Sequence, residues 1–198
     1  MIVVDSLEAG EGNWINEPDN YSLENGKLQL ITALNTDFWR QTYYGFQRHT
    51  GHAYGFYVEN DFTLQVKIMA NFCHLYDQAG IFLQDDEHHW VKAGIEFNDD
   101  LSSIGCVVTR KTSDWSTGLF PGDPQTFWMR ATLENEALRI QYSTDSKKWP
   151  LLRLCHWPDI KNRFIGVMGC TPEREGLEIT FDEFRLGPPL SKSLHDLT

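Results

Sequence analysis

The sequence predicts an all-β chain folded as an antiparallel sandwich of two sheets. Three observations predict it. Apolar residues recur at a period of two along most of the chain, while the period of 3.6 that marks helices is nearly absent. Turn signals separate the alternating runs into about eleven strand candidates. With 198 residues, 41% hydrophobic and 13% aromatic, the chain has the material for one domain with a substantial buried core.

Residues 21–24 and 27–31 flank Asn25-Gly26, the strongest short-range hairpin signal. Residues 35–54 then break the alternation. They are dense in aromatic rings, polar, and punctuated by glycine, and they read either as a flap packed over a sheet or as a binding loop. Phe62, Leu64, Val66 and Ile68 alternate with Thr63, Gln65, Lys67 and Met69. Residues 77–84 and 89–97 flank an acidic turn, Asp85-Asp86-Glu87. After Val107 the chain leaves an apolar strand and enters what reads as a polar loop reaching residue 118. Residues 128–134 and 137–143 flank Asn135-Glu136, a further hairpin. Leu177, Ile179 and Phe181 alternate, and the register slips before Phe184 and Leu186, the mark of a bulge or a bend. Pro188 and Pro189 stop that strand, so the organisation expected is a single domain over 1–187 and a C-terminal tail over 188–198.

The formal net charge of −11 argues against nucleic acid and anionic membrane surfaces, both of which require a basic footprint. The N-terminal residues lack the basic-then-apolar pattern of a secretory signal, and no run approaches the ~20 apolar residues of a membrane span. A cytoplasmic location is the expectation. The four cysteines form no Cys-x-x-Cys pair, and Cys106 and Cys170 sit in apolar runs where buried reduced thiols are the rule. Cys73-His74 and Cys155-His156 tempt as metal ligands, but neighbours on a strand point to opposite faces, so no metal site is expected. No glycine-rich phosphate loop and no nucleophile–histidine constellation can be read from the spacing, so neither a cofactor nor a catalytic set is expected.

The most informative run is 89–97, His-Trp-Val-Lys-Ala-Gly-Ile-Glu-Phe. Its odd members, Val91, Ala93, Ile95 and Phe97, are apolar, and its even members are Trp90, Lys92, Gly94 and Glu96. One face then enters a core and the other meets water or a ligand. Lys92 and Glu96 over Gly94 read either as a surface ion pair across a glycine forced by neighbouring strands, or as a polar floor with Trp90 as a stacking wall. Gln78 on the adjacent strand shares that face. Trp39-Arg40 and the group Arg110, Asp114, Trp115 are candidates for its rim, because indoles beside hydrogen-bonding groups grip sugar rings and also make protein hot spots. The competing reading is a tryptophan capping the core, with Arg110 and Asp114 paired. A glycosidase would need a second carboxylate across a cleft from Glu96, and Asp77 and Asp114 are the candidates by position.

Five phrases taken together resemble a known family: Thr36-Asp-Phe-Trp-Arg40; Tyr76-Asp-Gln-Ala-Gly80; residues 90–97; Thr109-Arg with Ser113-Asp-Trp-Ser116; and Arg174-Glu-Gly176 before Phe181-Asp-Glu-Phe184. The chain is similar over residues 11–187 to the "regulation of enolase, concanavalin A-like superfamily" family, long labelled a domain of unknown function. The resemblance implies a concanavalin A-like sandwich of the jelly-roll type with two curved sheets, a mostly cytosolic protein, and a regulatory link to enolase in some fungal members. It places Trp39, Arg40, Gln78, Trp90, Lys92, Glu96, Arg110, Asp114 and Trp115 in recurring phrases without giving them roles. The expectation that follows is a non-catalytic regulatory or binding protein of carbohydrate metabolism, with enolase or a small carbohydrate as partner. The alternatives are a carbohydrate-binding module and a glycoside hydrolase using Glu96.

Overall fold

A computed structural model describes residues 3–8, 11–158 and 162–198. Sixteen strands run among them in chain order: β1 (Asn13–Ile15), β2 (Asn20–Glu24), β3 (Lys27–Ile31), β4 (Phe38–Arg40), β5 (Gln47–His49), β6 (His52–Val58), β7 (Phe62–Ala70) and β8 (Gln78–Asp86). They continue as β9 (His89–Asn98), β10 (Leu101–Arg110), β11 (Thr112–Leu119), β12 (Thr126–Glu134), β13 (Ala137–Ser143), β14 (Leu151–His156), β15 (Arg163–Cys170) and β16 (Glu178–Gly187). The first sheet has the order β1-β6-β15-β8-β9-β10-β11, the second β14-β13-β12-β7-β16-β3-β2, and β4-β5 form a separate hairpin. Strands within both large sheets pair antiparallel, and the fold is a concanavalin A-like sandwich. No helix among the described residues is long and apolar enough to cross a membrane.

Alternation puts the core between the sheets. Val91, Ala93 and Ile95 of β9 face Leu64, Val66 and Ile68 of β7 within one buried cluster. The two hairpin turns expected from Asn25-Gly26 and Asn135-Glu136 are present, with φ of 55° and 78° in the first and 51° and 61° in the second. The slip in the last strand is a bulge between Asp182 and Arg185, with Glu183 at φ 51°.

Three expectations are corrected. The polar segment after Arg110 is a strand, β11, at the edge of the first sheet; with only Ser113 buried it carries no apolar alternation to betray it. The acidic turn lies later, at Glu87-His88, because β8 continues through Asp85 and Asp86 after a register shift. The strand argument against Cys73-His74 does not apply, since both lie in the turn between β7 and β8. Cys73 Sγ, His74 Nδ1 and an Asp77 oxygen come within 4.8 Å of one another. The Asp77 carboxylate is already committed, accepting from Arg174 at 2.8 and 2.7 Å and from the N–H groups of Cys73 and His74 at 3.0 and 3.1 Å.

Residues 188–198 form no strand and lie along the outer side of the second sheet. The Arg139 guanidinium donates to the carbonyls of Leu190, Lys192 and Ser193 at 3.2, 3.1 and 3.3 Å. Arg130 donates to the Thr198 carbonyl at 3.2 Å and lies 3.7 Å from the Trp149 ring centroid.

Candidate functional site

The even residues of β9 face away from the sandwich core, and register fixes their neighbours. Trp90, Lys92, Gly94 and Glu96 stand beside Gln84, Phe82, Gly80 and Gln78 of β8, and beside Thr109, Val107, Gly105 and Ser103 of β10. Gly80, Gly94 and Gly105 therefore make a row without side chains across three strands. A methyl group on Gly94 would fall on the Ala79 carbonyl oxygen, and one on Gly80 on that of Ala93. Close approach of neighbouring backbone thus accounts for Gly94. The row is a trough between two banks, Gln78-Glu96-Ser103 and Phe82-Lys92-Val107.

One end of this face is sealed. The β4-β5 hairpin lays Phe38 on it, stacked on Phe82 with centroids 4.2 Å apart. A second apolar cluster results, with Phe38, Trp39, Ala53, Phe82, Trp90, Phe164 and Met168 among its members. Trp90 has no exposure and packs against Phe82 at 5.8 Å and Phe38 at 6.0 Å. The expectation of Trp90 as a stacking wall is corrected: its face is right, but the hairpin covers it. Phe82, polar by parity and apolar by type, is explained by the same cluster.

The other end is open. A pocket of about 160 Å³ is lined by Asp37, Trp39, Tyr44, Phe46 and Arg48 from the hairpin region, by Tyr76, Gln78, Lys92, Glu96 and Trp115 from the first sheet and its turns, and by Pro172 and Glu173. Residues 35–54 are consequently both flap and pocket wall. Trp39 stands perpendicular to Trp115, with centroids 6.3 Å apart at 89°, and edge-on to Tyr44 at 5.5 Å. Trp39 Nε1 donates to the Thr42 carbonyl at 3.0 Å, and the Tyr44 and Tyr76 hydroxyls meet at 3.2 Å.

The floor is charged. Lys92 Nζ donates to Asp37 Oδ1 and to Gln78 Oε1, each at 2.8 Å, with only 5% of its side chain exposed. Burial pulls the ammonium pKa down, but the charge and hydrogen bond of Asp37 together with Cys170 and Glu96 outweigh it and the net displacement is upward. Lys92 makes no ion pair with Glu96, so the surface-pair reading is corrected as well. Glu96 accepts from Asn98 Nδ2 at 3.2 Å; burial pushes its carboxyl up, Lys92 and the Asn98 hydrogen bond pull it down, and with Asp37 added the net displacement is above the usual carboxylate range.

Five of the nine candidates, Trp39, Gln78, Lys92, Glu96 and Trp115, come together at this pocket. Arg40, Trp90, Arg110 and Asp114 do not. Arg40 ties the hairpin down, with its N–H on Ser113 Oγ at 2.9 Å and its Nε on the Lys111 carbonyl at 3.1 Å. Asp114 pairs with Val108 and Trp115 with Val107, so Asp114 takes the opposite face to Trp115. Arg110 shares that face with Asp114, but the two are not paired. Arg110 donates to the His156 carbonyl and lies 5.8 Å over Trp157, while Asp114 meets Arg153 at 3.6 Å. Asp77 is absent from the pocket. The carboxylates that share it with Glu96 are Asp37 and Glu173, both missed from the sequence. Asp37 stood in the phrase that supplied Trp39, and only the fold joins it to a lysine 55 residues on.

Comparison with known proteins bears on this pocket only through the family. The family described as "Protein of unknown function (DUF1349)" matches residues 14–189. The chain is 46% identical, over the full length of both, to a Saccharomyces cerevisiae protein named "Regulation of enolase protein 1". It is 27% identical over 121 residues, 57% of this chain and 60% of the other, to an uncharacterized protein of Emericella nidulans. A crystal structure of a functionally unknown protein from Saccharomyces cerevisiae superposes with a TM-score of 0.91 at 45% identity, covering 94% of this chain and all of that one. A GH43 protein of Bacillus licheniformis superposes at 0.68 with 14% identity, covering 93% of this chain and 39% of that one, a likeness of fold alone.

Proposed function

The chain belongs to the DUF1349 family, and from that membership and the pocket together we propose a non-catalytic, cytosolic regulatory protein of carbohydrate metabolism that binds a small neutral carbohydrate. The observation that carries the reading is a perpendicular pair of indoles, Trp39 and Trp115, over a hydrogen-bonding floor whose charges cancel. Lys92 is matched by Asp37, Arg48 and Glu173 bring opposite charges to the same lining, and Glu96 is displaced toward its neutral form. A balanced floor rewards a neutral ligand over an ion. Ring faces take the C–H side of a sugar, and Gln78, Lys92 and Glu96 address its hydroxyls. About 160 Å³ is below the usual range for drug-sized ligands, so the occupant is small.

The name of the Saccharomyces cerevisiae relative supports regulation as the role, and enolase is the protein partner we propose. Occupancy of the pocket then reports sugar status to a partner. Tryptophan fluorescence and calorimetry against neutral and phosphorylated monosaccharides test the ligand. Saturable binding of a neutral sugar that Trp115→Ala abolishes is expected, and no signal at millimolar concentrations overturns it. Affinity capture from cytosol tests the partner, with enrichment of enolase expected over a Trp115→Ala control.

A second reading, glycoside hydrolysis with Glu96 as acid, is favoured by one observation: Asp37 and Glu173 share the pocket with a Glu96 carboxyl shifted upward. Reducing ends released from oligosaccharides by the wild type but not by Glu96→Gln would establish it in place of the binding role.

A further inference from the structure

Resting on the carbohydrate reading, we propose that Glu96 enters the complex as the neutral acid and donates its hydroxyl hydrogen to an acceptor oxygen of the sugar, so that ligand uptake is coupled to a proton. Four observations carry it.

First, the Glu96 carboxyl lines the pocket and has one partner among the described residues, Asn98 Nδ2 on Oε1. Oε2 is left for the ligand. Second, no cation among the described residues forms an ion pair with it: the Lys92 charge pulls its pKa down, but burial and Asp37 together outweigh that. Lys92, on the same strand face, spends two of its N–H groups on Asp37 and Gln78 and lies beyond ion-pair distance of Glu96. Arg48, the other cation of the lining, sits 4.8 Å over the Phe46 ring. Third, the remaining titratable groups around it make a negative charge costly. Asp37 from the hairpin and Glu173 from the loop after β15 are acids. Tyr76 and Cys170 are both pushed up and stay neutral. Burial of Glu96 acts in the same direction. Fourth, Asn98 is itself fixed, its Oδ1 accepting from Ser103 Oγ at 3.3 Å, so its amide holds Oε1 as the acceptor oxygen. A neutral carboxyl held in that way presents one donor in a set direction.

The sugar covers this carboxyl and removes its remaining water. Below the Glu96 pKa of the free protein, the acid binds without a proton change. Above it, a proton must be taken up with each sugar, and affinity falls by about tenfold per pH unit.

The test is calorimetry with glucose, mannose and xylose at pH 5 and pH 8, each in two buffers of different ionisation heat. Expected is affinity falling toward pH 8, with uptake approaching one proton per complex. Glu96→Gln, whose amide keeps a donor, should bind equally at both pH values with no buffer-dependent heat, and Glu96→Ala should bind weakly at both. Thermal melts of the variants establish that they are folded. Saturable wild-type binding without proton uptake or pH dependence overturns the inference and leaves the carbohydrate reading standing. No saturable heat with any of the three sugars overturns both.

Discussion

Lys92 shows what a single residue contributes and why the sequence half disclosed it. Its place beside Glu96 on one strand face was legible, because a period of two needs only local order. Its partner was not, because an ion pair between positions 37 and 92 leaves no spacing rule behind. The pair is buried, with side-chain exposures of 5% and 10%, so the charges depend on one another. Replacing Lys92 by Met strands the Asp37 carboxylate in the interior, with the Phe38 N–H among its remaining donors. The expected loss is about 3–5 kcal/mol in urea denaturation. The double variant Asp37→Asn, Lys92→Met removes both charges and should lose much less than the sum of the single changes. A sum of independent losses would mean that the two side chains do not interact. The identity of Trp90 was legible in the same local way, and its burial was not, since what covers it comes from another segment.

At the scale of elements, the β4-β5 hairpin decides which part of the first sheet is site and which is core. Two of its adjacent residues divide the work. Phe38 is fully buried against Phe82, and Trp39 forms a wall of the pocket. Phe38→Ala should cost about 3–5 kcal/mol and weaken ligand binding as well, since the hairpin loses its anchor. Trp115, more than a third exposed on the edge strand β11, should give the opposite split under Trp115→Ala: binding lost, with the denaturation midpoint nearly unchanged. Equal stability losses in the two variants would refute this division. Legibility followed the same line. Strands joined by a tight hairpin turn kept a turn signal between them, as in β2-β3 and β12-β13. The edge strand β11 lacks a covered face along most of its length, so nothing selects apolar residues there and it read as a loop. The hairpin hid for another reason: its rings pack downward on one sheet face rather than between the two sheets.

Across the whole molecule, the outer face of the first sheet carries the hairpin and the pocket and that of the second carries the 188–198 segment, so pocket and tail are separated by the sandwich itself. Stability also has contributions from side chains that do not themselves line the pocket. One is Asp77, where burial pushes the carboxyl up but Arg174 and two backbone N–H groups outweigh it and hold it low. A depressed pKa contributes stability above the unfolded value, and that stability disappears as pH falls through the folded value. Asp77→Asn should therefore cost about 3 kcal/mol at pH 7 and converge on the wild type in strong acid, read from urea midpoints across pH. The tail is the other. Arg139 places three hydrogen bonds on its carbonyls, and Leu190 N–H donates to Thr63 Oγ1 at 2.8 Å. Ending the chain at Gly187 leaves that guanidinium without these acceptors. A loss of about 2 kcal/mol is expected, which for a chain of this size lowers the melting temperature by about 4–8 °C. Because the pocket lies on the far face of the other sheet, sugar affinity measured below the transition should be unchanged. A truncated chain that melts like the full one would mean that water replaces the tail carbonyls at no cost. A truncated chain that melts lower and also binds more weakly would mean that the two sheets share strain across the core.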